Sequence, residues 1–200
     1  MTKMIENLLE NSGLPGPRGN LELLHSFTKN ATANEINECL TFYKDDLINS
    51  PEEFVVMCGV VGLCIQNKND IKGILRKIRS YASHNSWRIR ESVAIGIQEI
   101  AEKNMSEIIL NLKKWMDGND FEKRAIVAAL CEPKLLKEKS EIIEILEILH
   151  KITIGFEKIN GKLSDSQNSL RKTLGYGWSV AIVSLPNEGK FEKEEINCNG

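Results

Sequence analysis

Apolar residues return every three or four positions along nearly the whole chain, the spacing that lines one face of an α-helix. Near the start, Ile5, Leu8 and Leu9 share one side of "TKMIENLLEN", which stops at Ser12-Gly13. "LPGPRGN" reads as a turn, and Asn20 as the cap of "LELLHSFTKN". Ile36, Leu40, Tyr43 and Leu47 predict a helix over 33–48. Ser50-Pro51-Glu52-Glu53 has the form of a helix start: a capping hydroxyl, proline at the first helical position, then acids near the positive end of the dipole. The run behind it, "FVVMCGVVGLCI", is apolar on every side and predicts a buried helix. Amphipathic segments follow as "NDIKGILRKIRSYA", "SWRIRESVAIGIQEIAEK", "MSEIILNLKKWMDG" and "DFEKRAIVAALCE". After Pro133 a long helix is expected in "EIIEILEILHKI", then a looser connection, "GFEKINGKLSDSQNS", and a last helix in "LRKTLGYGWSVAIVSL". The polar residues 186–200 read as a frayed tail.

Two of these segments follow nearly one plan. Displaced by 34 positions, Trp87 meets Phe121, Arg90 meets Arg124, Val93 meets Val127, Ala94 meets Ala128 and Ile97 meets Cys131. The helices before them agree: Leu75 meets Ile109, Ile78 meets Leu112 and Tyr81 meets Trp115. One step further back, Leu47 meets Tyr81, Val60 meets Ala94 and Gly62 meets Gly96. A period of this length with two helices per unit is the signature of an α-solenoid, in which each helix pair covers the apolar face of the one before. Asp120, Arg124, Ala128 and Leu130, echoed by Ser86, Arg90 and Ala94, resemble the HEAT repeat, with its turn acid, arginine and small apolar residues. The resemblance covers 33–131 and implies an all-α superhelix of antiparallel helix pairs. On this reading 1–185 form one domain: capping helices at 1–30, the best repeats at 33–131 and a divergent terminal repeat at 133–185, with Arg171 in the arginine position.

Composition narrows the class. With 42% hydrophobic and 27% charged residues the chain is globular, and 200 residues suffice for a sizeable core. Its formal charge of −2 gives no global attraction to nucleic acid. The five cysteines include no CxxC pair, and three lie in apolar runs; they read as reduced, structural thiols, hence the expectation of a cytoplasmic protein. Glu6 and Glu10 interrupt the N-terminal stripe, so no signal peptide is expected, and no apolar run reaches membrane-spanning length.

Charge becomes informative locally. No acid falls from Ile71 to Arg90, while Lys72, Arg76, Lys77, Arg79, Arg88 and Arg90 do. Lys113, Lys114, Lys123, Arg124, Arg171 and Lys172 recur at comparable places later. A curved solenoid that aligned them would offer a stripe for phosphates or an acidic partner. The plainer reading leaves the lysines solvated and makes Arg90 and Arg124 a ladder that pins neighbouring repeats. Trp87, at a helix start beside the basic run, is the aromatic best placed to stack on a partner; Trp115, in register with Tyr81 and Leu47, and Trp178 read as packing residues. His25, His84 and His150 lack metal-ligand spacing, "PGPRG" lacks the strand and Lys-Ser/Thr of a phosphate loop, and there is no GxSxG, so neither metal nor cofactor is expected.

A second resemblance sharpens the enzymatic alternative. "HNSWRIRESVAIGI" and "LRKTLGYGWSV" resemble stretches of the DNA alkylation repair (AlkD-like) glycosylases, HEAT-like solenoids that hold DNA on a concave basic surface. The resemblance implies a DNA-contacting role for Arg90 and matches Arg171, Lys172 and Gly175 to the terminal helix. Where that family keeps Trp and a catalytic Asp one repeat earlier, this chain has "SPEEFVV", leaving Glu52 or Glu53 in the acid's place. The reading that follows is a binding or scaffold protein, with no catalytic residue, engaging a protein or nucleic acid through Arg76, Arg79, Trp87, Arg88, Arg90, Lys113, Lys114, Lys123, Arg124, Arg171 and Lys172. The alternative is a DNA-binding protein or glycosylase with Glu53 as its acid.

Overall fold

The computed structural model describes residues 1–159 and 161–187, apart from the side chain of Glu157. All regular secondary structure among the described residues is helical. No helix among them is long and apolar enough to cross a membrane. The chain divides into two compact units, Met1–Ile100 and Ala101–Gly200. Most of the expected tail at 186–200, with Cys198, lies outside the described residues.

The first unit is built around one helix. Helices α1 (Lys3–Glu10), α2 (Leu21–Asn30) and α3 (Ala33–Leu40) each pack on α4 (Pro51–Gln66). As the Ser-Pro-Glu-Glu pattern predicts, Ser50 caps α4 by accepting from the Glu53 amide, with Pro51 in the first turn. Every residue of α4 from Glu53 to Gly62 is buried, which a helix apolar all round requires. Its glycines set the approach of α3: a Cβ on Gly62 would lie 2.8 Å from Ile36 Cδ1, and one on Gly59 2.8 Å from Leu40 Cδ2. Helix α5 (Ile71–Ile78) buries Ile71, Ile74, Leu75 and Ile78 and tightens into a 3-10 turn at Arg79–Ser83. Helix α6 (Trp87–Ala101) buries Ile89, Val93, Ala94 and Ile97, and Gly96 lies against Cys64 of α4.

In the second unit, α7 (Met105–Leu112) runs into a 3-10 turn at Lys113–Trp115, followed by α8 (Asp120–Leu130), α9 (Lys139–Glu157) and α10 (Asp165–Ser184). Helix α10 packs on α8 and α9, and α7 on α9. Gly177 lets α10 approach Val127 and Cys131. Trp115 and Trp178 are buried, and the Trp178 indole donates to Thr153 Oγ1 at 3.0 Å. Val93 in the first unit and Val127 in the second are both core residues.

Two boundaries differ from the expected ones. Helix α3 ends at Leu40 rather than near 48, because the residues beyond it serve tertiary contacts. Tyr43 meets Tyr81 and His84 edge-on, and the Lys44 and Asp45 carbonyls take side-chain hydrogen bonds from His84 and Asn85. The connection expected across 155–169 is shorter. Helix α9 continues to Glu157, and α10 starts at Asp165, where Ser164 and Gln167 form a reciprocal capping box.

The four described cysteines, Cys39, Cys58, Cys64 and Cys131, are buried and unbridged. Burial pushes the thiols of Cys39, Cys64 and Cys131 up to about 12 and that of Cys58 well above its usual value. They behave as small core residues rather than nucleophiles.

Candidate functional site

A dense polar cluster of the first unit lies where the starts of α4 and α6 meet. The Glu53 carboxylate is fully buried and accepts from three donors: the Ser86 hydroxyl, Arg88 Nη1 at 3.3 Å and the Asn49 amide at 2.9 Å. Arg88, 5% exposed, uses Nη2 to donate to the Gly16 carbonyl at 2.6 Å. The Gly16 amide donates to Asn49 Oδ1 at 3.0 Å, so the loop before α2 is tied to both helix starts. Asn49 has a left-handed backbone (φ 54°), a conformation asparagine tolerates better than most residues.

Ser86 has a double role. Its hydroxyl donates to Glu53 and accepts from the amides of Arg88 and Ile89, which satisfies the first turn of α6. The Ser86 amide donates to His84 Nδ1 at 2.9 Å. With Nδ1 accepting, the imidazole proton sits on Nε2 and is donated to the Lys44 carbonyl, also at 2.9 Å. Arg90 Nη1 donates to the carbonyls of His84 and Asn85, closing the turn from the other side. This framework carries Trp87, which is 52% exposed with the Arg88 guanidinium 4.7 Å from its ring centroid. Ile48, also strongly exposed, precedes the amide that shares the Glu53 carboxylate with Arg88.

The sequence candidates therefore meet different fates. In the first unit Trp87 and Arg88 come together, with Trp87 outward and Arg88 inward. Arg90 is half-buried and committed to backbone carbonyls, Arg79 is half-buried in the 3-10 turn, and Arg76 is exposed on α5 with Lys72 and Lys77. In the second unit Lys113 pairs with Glu144 at 2.6 Å, and Lys114 donates to Asn111 Oδ1. Lys123 lines a cavity, Arg124 buries a guanidinium nitrogen, and Arg171 and Lys172 are exposed on α10. Glu52, the other acid at the start of α4, is held below the usual carboxylate range, mainly by its own backbone amide and then by Ser50.

Sequence reading missed the Glu53–Arg88 pairing, although a signal existed. Ser92 and Gly96 follow Arg88 at four-residue spacing and are both buried. Small residues in that stripe mark the side of α6 that lies close to a neighbour, and Arg88 stands on it. Comparison with protein families, curated proteins and solved structures gives no match to this chain.

Proposed function

We propose that this protein is a non-catalytic binding module of the HEAT-like α-solenoid kind, which engages a macromolecular partner through the surface around Trp87. The observation that carries the reading is a half-exposed tryptophan held on a buried, ion-paired guanidinium. An exposed indole with a fixed underside loses little conformational entropy on docking, and tryptophan and arginine dominate binding hot spots. A protein partner fits better than nucleic acid at this surface. Arg88 and Arg90 spend their guanidinium groups on internal acceptors, and Ile48, next in sequence to the Asn49 that binds Glu53, is an exposed apolar side chain. The alternative, base excision of the AlkD-like type, needs a carboxylate facing the sugar as its bond to the base breaks. Glu53 has no exposed surface and three donors already on it, which supports binding over chemistry.

The test is affinity capture from extracts of the producing cells with wild-type protein and Trp87→Ala, with and without nuclease, over a salt series. The expected result is a discrete protein retained by the wild type, insensitive to nuclease and lost with Trp87→Ala. Equal retention by both would overturn the proposal. Retention of nucleic acid alone, falling steeply as salt rises, would replace protein with nucleic acid as the partner.

A further inference from the structure

A cavity of about 460 Å³ opens in the second unit between the start of α8, the second half of α9 and the start of α10. That volume falls within the range of small-ligand sites. Its lining is half apolar and half polar: Ile152 and Leu170 are buried and Phe156 half-buried on the apolar part, and Lys123, Lys151 and Gln167 stand on the polar part. Neither lysine's ammonium group has an ion pair or hydrogen bond among the described residues. The acid beside them, Asp120, accepts a hydrogen bond from Ser166 at 3.1 Å.

A glycine supplies an independent observation. Gly59, Gly62, Gly96 and Gly177 all sit where a Cβ would strike a neighbouring helix, so packing explains them. Gly155, inside α9, and Gly175, inside α10, would each meet nothing within 4 Å with a Cβ, and of these two Gly155 lines the cavity. A glycine at that position weakens the helix without relieving any contact. Its effect is to leave the cavity one side chain wider.

We propose that this cavity binds a small amphiphilic anion, its apolar body against Ile152, Phe156 and Leu170 and its carboxylate or phosphate between Lys123 and Lys151. Two cations against one hydrogen-bonded carboxylate favour an anion, and the apolar half of the lining favours one that carries an apolar body. A guest of this kind buries its apolar body while its charged head stays in high dielectric at the mouth, where two ammonium groups attract it without heavy desolvation.

Calorimetric titration with naphthaleneacetate and naphthyl phosphate, against naphthylacetamide and naphthylmethylammonium as neutral and cationic controls, tests the proposal. Saturable binding of an anion is expected, at least tenfold tighter than either control; which anion binds more tightly separates a carboxylate ligand from a phosphate ligand. Gly155→Leu, which fills the open space from a position with no packing contact to lose, should weaken binding at least tenfold. Lys123→Met and Lys151→Met keep the apolar stems and should erase the preference over the neutral control. Circular dichroism and urea midpoints establish that each variant is folded, and the two lysine variants carry the test should Gly155→Leu not fold. The proposal is overturned by the absence of saturable anion binding to the wild type, by equal affinity for the cationic probe, or by affinity that survives both lysine replacements.

Discussion

Replacing Arg88 by methionine should strike the first unit harder than removing any exposed charge in it. The substitution keeps an unbranched apolar stem but removes the guanidinium that neutralises Glu53 and satisfies the Gly16 carbonyl. Glu53 would remain with no exposed surface and with only the Ser86 hydroxyl and the Asn49 amide as donors. Breaking a buried pair in this way costs about 3–5 kcal/mol, because a charge stays behind in low dielectric. The two surviving donors set the expectation near the lower end, about 3 kcal/mol, against a total stability on the order of 5–15 kcal/mol. With a urea dependence of about 2 kcal/mol/M, the unfolding midpoint should fall by about 1.5 M. Arg76→Met, which removes an exposed arginine, should stay within about 0.5 kcal/mol of wild type. The double variant Glu53→Met/Arg88→Met should recover part of the loss, since no unpaired charge remains. Urea unfolding followed by circular dichroism measures all four proteins. An Arg88→Met midpoint indistinguishable from that of Arg76→Met would refute the buried pair and the framework built on it.

Other outcomes follow from the same packing. Gly96→Leu should cost about 1–3 kcal/mol in chemical denaturation, since even its Cβ would lie 2.6 Å from Cys64 Sγ. In a Cys198→Ser background, the four buried thiols should resist a thiol-specific reagent at pH 8 in the native protein and react fully in denaturant. Hydrogen bonds from the Thr32 backbone and hydroxyl hold the Glu35 carboxyl below the usual range. The stability this lends is present above the unfolded-state value and is lost as pH falls through the lowered one; Thr32→Ala should raise the Glu35 titration midpoint seen by NMR. Single-turnover incubation of excess protein with DNA carrying a cationic methylated purine should release no base above the protein-free control. Release that is lost in a folded Glu53→Gln variant would move base excision to first place.

The periodic elements were legible because apolar spacing and capping residues are local. Ser50 and Pro51 mark the start of α4, and the unbroken apolar run behind them marks its burial. The end of α3 was not legible, since Tyr43 and Lys44 leave the helix to meet Tyr81 and His84, about forty residues away in sequence. The site was legible in half. Trp87 at a helix start, with the basic run around it, drew attention to the surface proposed here, but composition cannot tell a solvated arginine from a buried one. Arg88 and Arg76 look alike in a charge count; one is closed over Glu53 and the other faces solvent. The cavity at Gly155 leaves no sequence signature, because a lone helical glycine reads as a weak position unless its surroundings are known.

The claim that Trp87 anchors a protein partner is tested most directly by placing a photo-crosslinking phenylalanine analogue at residue 87 and, for reference, at the exposed Lys68 just beyond α4. After irradiation in extracts of the producing cells, the account predicts a discrete adduct from position 87 that protease removes and nuclease leaves intact, and none from position 68. Equal adducts from both positions, no adduct from 87, or an adduct that only nuclease removes would contradict it.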